Sequence, residues 1–101
     1  KTDTAKFVCR FDEAIKYAAT FTAARPGTVL IVTADHETGA LSTTGDITNN
    51  GHHTSTPVPV YALGWGTEQF NGAQTDNVKI ARFMASVFGA DSFGADITVT
   101  Q

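Results

Sequence analysis

Two short polar clusters hold the residues of this chain that are best suited to chemistry. The first ends in the adjacent pair Asp35 and His36, and the second contains the pair His52 and His53. Carboxylate oxygens and imidazole nitrogens are common ligands of Zn²⁺, at roughly 2.0–2.2 Å from the ion. In a turn, Asp35 and His36 can both point at one ion, while a histidine of the second cluster binds another. Such residues also form hydrogen-bonded pairs in ordinary loops, so both interpretations stay open at this point.

Signatures of other enzyme classes are weak or missing. Residues 64–66 read Gly-Trp-Gly, but no third glycine or helix start follows, so they are predicted to form a turn rather than a dinucleotide site. Cys9 has no second cysteine with which to bind zinc and is predicted to lie on the surface. No serine lies in the strand-to-helix elbow of a hydrolase nucleophile; these are Ser42, Ser55, Ser86 and Ser92. Three other acidic residues are interpreted as solvated charges, namely Glu37, Asp46 and Glu68.

A helix and a strand are expected to position the first cluster. Residues 4–24 predict an amphipathic helix that ends before a Pro-Gly pair. Residues 28–33 are mostly β-branched without alternation, which is typical of a strand that helices cover on both faces. Ligands of open α/β sheets bind beyond the carboxyl ends of such strands, where Asp35 and His36 follow. The apolar stripe of the helix comprises Phe7, Phe11, Ala14, Ile15, Ala18 and Phe21.

A strand and a helix are also expected after the second cluster. Residues 35–56 show no usable period and predict a long functional loop. Residues 58–63 alternate as a strand, in which Pro59 favours an edge or a strand start. A helix is predicted from Asp76 with Thr75 as its N-cap, and a short strand at residues 97–100. The face of that helix predicted to be buried comprises Ile80, Phe83, Met84, Val87 and Phe88.

Composition excludes several functional classes. The chain has 101 residues and a formal net charge of −3, so it is at most one small domain without a basic field for nucleic acid or anionic lipid. Its one cysteine cannot form an internal disulfide. The longest uninterrupted apolar run covers only residues 29–32, far below the ~20 residues of a membrane-spanning helix.

Two segments carry a resemblance to a known family. TVLIVTADHETGAL, at residues 28–41, closely resembles the strand and metal-binding turn of bacterial alkaline phosphatases. GHHTSTPVPVYALGWG, at residues 51–66, resembles their later histidine segment, and the likeness extends to about Gly89. The resemblance implies a metal-dependent phosphomonoesterase that hydrolyses phosphate monoesters through a phosphoserine, using two zinc ions and one magnesium. It also implies an α/β fold with a central, largely parallel sheet flanked by helices.

The resemblance assigns three metal ligands to this chain. Asp35 and His36 match the ligands of the second zinc. The first zinc takes a later histidine that is followed by threonine and, six residues on, by the middle of a Val-Pro-Val-like strand. Counting back from Pro59 gives His53 as that ligand and leaves His52 as a bystander.

Other parts of the family's active site have no counterpart here. In the family, the nucleophilic serine, the phosphate-binding arginine and most magnesium ligands lie earlier in the chain, so no catalytic residue is assigned to this sequence. Residues 1–101 are therefore expected to be the C-terminal fragment of one alkaline-phosphatase-like domain, with the metal-ligand loop at 34–56. The expected partners are the remainder of the enzyme before Lys1 and a second copy in a homodimer. Members of the family are usually exported, so the resemblance implies a periplasmic or extracellular location.

Two alternatives come from neighbouring classes. The chain could be a non-catalytic α/β metal-binding or assembly module that kept the metal turn without the chemistry. It could also belong to a related superfamily hydrolase that acts on phosphodiesters or sulfate esters, because the leaving-group pocket is built mostly by other segments.

Overall fold

The computed structural model of the chain describes residues 2–37, 53–72 and 74–94. These residues form a mixed α/β arrangement with two α-helices and a two-stranded sheet. Along the chain the elements are α1 (Thr2–Ala23), β1 (Leu30–Thr33), β2 (Val60–Leu63), one turn of 3₁₀ helix (Thr67–Phe70) and α2 (Asn77–Val87). The strand predicted at residues 97–100 lies outside the described residues.

Helix α1 forms close to its predicted bounds. It contains neither glycine nor proline and ends shortly before Pro26. At that end, Nη1 of Arg25 donates to the carbonyl oxygen of Phe21 at 3.4 Å, and the guanidinium carbon lies 3.6 Å from the Phe21 ring centroid. The arginine thus satisfies a carbonyl in the last turn and covers part of an aromatic ring.

Only part of the apolar stripe of α1 is covered. Ile15 and Ala18 are half-buried and border a groove of about 390 Å³ between α1 and β1. Phe11 and Phe7, one and two turns nearer the start of the helix, are 58% and 64% exposed. The predicted amphipathic helix is therefore present, but the described chain leaves most of its apolar face exposed.

The sheet is antiparallel. Strands β1 and β2 pair from Leu30 with Leu63 to Thr33 with Val60, and the Thr33 hydroxyl donates to the carbonyl oxygen of Pro59 at 3.1 Å. Pro59 lies just before β2, at the strand start that the sequence favours. The largely parallel sheet that the resemblance implies is not seen among the described residues. A β-branched run predicts a strand but not the direction of the strand beside it.

A tight turn follows β2, as predicted for residues 64–66. Gly64 has φ +115°, and Gly66 has φ +77°. The Thr67 hydroxyl donates to the carbonyl oxygen of Gly64 at 2.8 Å and so ties the turn to the 3₁₀ helix. Phe70, at the end of that helix, is 2% exposed and meets Phe83 of α2 edge-on, with ring centroids 5.3 Å apart. These contacts anchor α2 to the end of the sheet.

Helix α2 begins one residue later than expected. Its N-cap is Asp76, whose Oδ1 accepts from the backbone N–H of Val78 at 3.0 Å, so Thr75 is not the cap. Either residue can cap a helix, because both present a side-chain oxygen to the unpaired backbone N–H groups of the first turn. A helix that starts one residue later therefore has Asp76 rather than Thr75 as its N-cap.

The buried face predicted for α2 is mostly wrong. Phe83 is buried and Ile80 half-buried, as expected, but Met84 is 54% and Phe88 87% exposed. Val87 is also exposed. Periodicity identifies which side chains share a helix face, but not whether another element lies against it.

Within the described residues, no helix is long and apolar enough to cross a bilayer. Cys9 is exposed, as the sequence indicates.

Candidate metal centre

Asp35 and His36 lie one residue beyond the end of β1 and contact each other twice. Oδ1 of Asp35 accepts from the backbone N–H of His36 at 3.0 Å, and Oδ2 lies 3.3 Å from Nε2 of the imidazole. The first contact fixes the carboxylate by a local turn, which is a common use of aspartate after a strand. The second brings an oxygen and a nitrogen to the spacing of two zinc ligands, because tetrahedral ligands at 2.0–2.2 Å lie roughly 3.3–3.6 Å apart.

His53 joins this pair from the second cluster. Its ring stacks on the ring of His36 with centroids 3.4 Å apart and an interplanar angle of 21°. The three residues singled out from the sequence are thus brought together, although His53 is distant from Asp35 in sequence. His52 lies outside the described residues.

Glu37 and Thr54 connect the two clusters. The backbone N–H of Thr54 donates to the carbonyl oxygen of Glu37 at 2.9 Å, as an isolated antiparallel bridge, and the Thr54 hydroxyl donates to Oε2 of Glu37. Glu37 is half-buried and its carboxylate accepts from Thr54, so it is less solvated than the sequence interpretation implies. No spacing rule indicates this contact, since it joins residues 17 positions apart. Of the other two acidic residues, Glu68 is exposed, as expected, and Asp46 lies outside the described residues.

The exposed side of the site opens into a cleft. Asp35 has a side chain that is 86% exposed, whereas that of His36 is 29% exposed. The cleft has a volume of about 940 Å³ and extends from Asp35 along β2 to the start of α2. Asp35 is the one charged side chain that lines it within the described residues.

A comparison with protein families decides the class. Residues 2–91 match the metalloenzyme superfamily, which includes alkaline-phosphatase-like members. The chain belongs to the metalloenzyme superfamily. Its members are generally enzymes with metal ion cofactors and a hydrolase- or mutase-like α/β fold. Comparisons with curated proteins and with solved structures give no match.

The donor atoms fit the metal ions that the metalloenzyme superfamily implies. A carboxylate and two imidazoles are hard-to-borderline donors that suit Zn²⁺. Among the described residues, no group of three or more such side chains is arranged around one point. Asp35 and His36 share a donor spacing, whereas His53 meets His36 face to face, which is not the arrangement of two ligands on one ion. The described geometry therefore brings the three donor residues together without arranging them as a three-ligand set around one ion.

Proposed function

We propose that this chain forms part of the metal centre of an alkaline-phosphatase-like phosphomonoesterase. The observation that carries the proposal is the convergence of Asp35, His36 and His53, which the sequence resemblance names as ligands, within one cluster. Membership of the metalloenzyme superfamily supports it, because that class uses bound metal ions.

In this proposal Asp35 and His36 bind one zinc ion and His53 binds the other. The contact between Oδ1 of Asp35 and the His36 amide holds the carboxylate, so that Oδ2 and Nε2 stay 3.3 Å apart before any ion arrives. His36 and His53 act as ligands in their neutral form, because a protonated imidazole nitrogen cannot bind a cation. Zinc ions held by these residues would supply Lewis-acid polarisation of the phosphate oxygens.

The remaining groups come from other parts of the protein in this proposal. These are the nucleophilic serine, which carries the phosphoserine, and the other ligands of zinc and magnesium. The exposed side chains of Phe7, Val8 and Phe11 support a larger domain, because a wide apolar surface on one helix normally has a covering partner. We propose that residues 1–101 form the C-terminal part of that domain, in a periplasmic or extracellular homodimer with a largely parallel central sheet.

Ligand variants of the full-length protein test the proposal. We expect Asp35→Ala, His36→Ala and His53→Ala each to reduce hydrolysis of p-nitrophenyl phosphate by roughly a hundredfold or more and to lower the bound zinc per chain. His52→Ala is the matched control and should retain both properties. Asp12→Ala, which removes an exposed carboxylate from α1, should also change neither.

Three outcomes would contradict parts of this proposal. Full activity in the Asp35 and His36 variants would exclude them as ligands, and loss of zinc in His52→Ala alone would shift the histidine assignment by one residue. Wild-type protein that binds zinc but hydrolyses no ester would indicate the binding module. Faster hydrolysis of bis-p-nitrophenyl phosphate or p-nitrophenyl sulfate than of the monoester would indicate a different esterase.

A further inference from the structure

We propose that Glu37 and Thr54 form a clamp that positions the two ligand-bearing segments, an inference that rests on the proposed function. Each residue directly follows a proposed ligand, Glu37 after His36 and Thr54 after His53. The clamp has two contacts, a backbone hydrogen bond of 2.9 Å and a hydrogen bond from the Thr54 hydroxyl to the Glu37 carboxylate. Both are positioning residues, because neither is assigned a bond to metal or substrate.

The sheet alone does not set the distance between the two histidines. Its last pair is Thr33 with Val60, and the clamp pair is Glu37 with Thr54. Three residues separate these pairs on one segment, 34–36, and five separate them on the other, 55–59. The ladder register is therefore not continuous, and Pro57 and Pro59 cannot donate to extend it. The stacking of His36 on His53 depends on the clamp as a separate connection.

The hydroxyl of Thr54 is oriented for this role. It accepts from the backbone N–H of Thr56 at 3.2 Å, and its own hydrogen is directed to Glu37. A hydrogen bond to a carboxylate is stronger than one between neutral groups. Valine in place of Thr54 would keep the shape and β-branching but remove the donor, whereas serine would keep the donor.

Zinc binding by the full-length protein tests the clamp. After the metal is removed by chelation, zinc affinity is measured by competition with a chromophoric chelator, and Co²⁺ is used to record the visible spectrum. We expect roughly tenfold weaker zinc binding and an altered Co²⁺ spectrum for Thr54→Val, by analogy with other outer-sphere partners. Thr54→Ser should restore both. Thr56→Val is the matched control, because it makes the same chemical change at an exposed side chain two residues away.

The outcomes separate the clamp from the proposed function. Thr54→Val with the affinity and spectrum of the wild type would overturn the clamp and leave the metal centre intact. Wild-type protein that binds no zinc would overturn both. If circular dichroism shows that Thr54→Val does not fold, Glu37→Ala, which removes the acceptor of the hydroxyl hydrogen bond, decides: weaker zinc binding supports the clamp, and unchanged binding overturns it.

Discussion

Gly64 is expected to tolerate no substitution by a residue that has a Cβ atom. Its φ is +115°, and a Cβ at this position would lie 2.5 Å from the carbonyl oxygen of Thr28 and 3.1 Å from Cα of Val29. Both neighbours are backbone atoms of the segment that leads into β1, so they cannot move aside as a flexible side chain would. Gly64→Ala would therefore disturb the approach of the two strands that lead to the candidate metal centre.

The cost of this substitution has two parts. Placing alanine in a sparsely populated backbone region costs about 1–3 kcal/mol. Relieving an overpacked contact costs about 1–3 kcal/mol more, so the sum is about 2–6 kcal/mol. Gly72 offers a matched comparison, because its φ is +71° but a Cβ would meet nothing within 4 Å. Gly72→Ala should cost only the conformational part, about 1–2 kcal/mol.

Urea denaturation of the full-length protein measures both free energies of unfolding. We expect Gly64→Ala to be at least about 1 kcal/mol less stable than Gly72→Ala, at an unchanged m-value. Gly27→Ala is a second control, since Gly27 has no positive φ and no atom within 4 Å, and it should be neutral or slightly stabilising. Equal destabilisation by Gly64→Ala and Gly72→Ala would refute the close contact with Thr28.

Two further substitutions test the packing and start of α2 by the same denaturation assay. Phe83→Ala should cost about 3–5 kcal/mol, because it removes a buried ring that meets Phe70, whereas Phe88→Ala should stay within about 0.5 kcal/mol. A similar cost for the two would show that Phe83 is not part of a packed core. Asp76→Ala should cost about 1 kcal/mol through loss of the N-cap. Asp76→Asn should keep most of the stability that the cap provides, because asparagine retains the accepting oxygen. An Asp76→Asn variant as unstable as Asp76→Ala would contradict the capping role.

The sequence predicts the elements better than it predicts their neighbours. Helix α1 and strand β1 lie within two residues of their expected bounds, because 3.6-residue periodicity and β-branched runs are local signals. Strand β2 is also present where alternation indicates it. The antiparallel pairing and the exposure of Met84 are not local properties, since both depend on which segments lie alongside.

In the candidate site, too, some residues can be predicted from the sequence and others cannot. Asp35, His36 and His53 could be singled out from residue type and resemblance, and the structure brings them together. Glu37 could not, because its role arises from a contact with Thr54 across 17 positions of chain. Hydrogen bonds between distant segments have no periodic signature, so a connecting residue looks like any other surface charge in the sequence.

The two parts of the candidate metal centre form by different kinds of contact, one local and one between distant segments. Asp35 and His36 are neighbours in the chain, so their pairing needs only a local turn. His53 can reach His36 only after a loop has closed, either through the 17-position contact of Glu37 with Thr54 or through the 26-position contact of Thr33 with Pro59. The shorter closure carries the lower entropy cost. After this closure, only residues 34–36 and 55–59 remain to be ordered before the first pair of the sheet, Thr33 with Val60, can form.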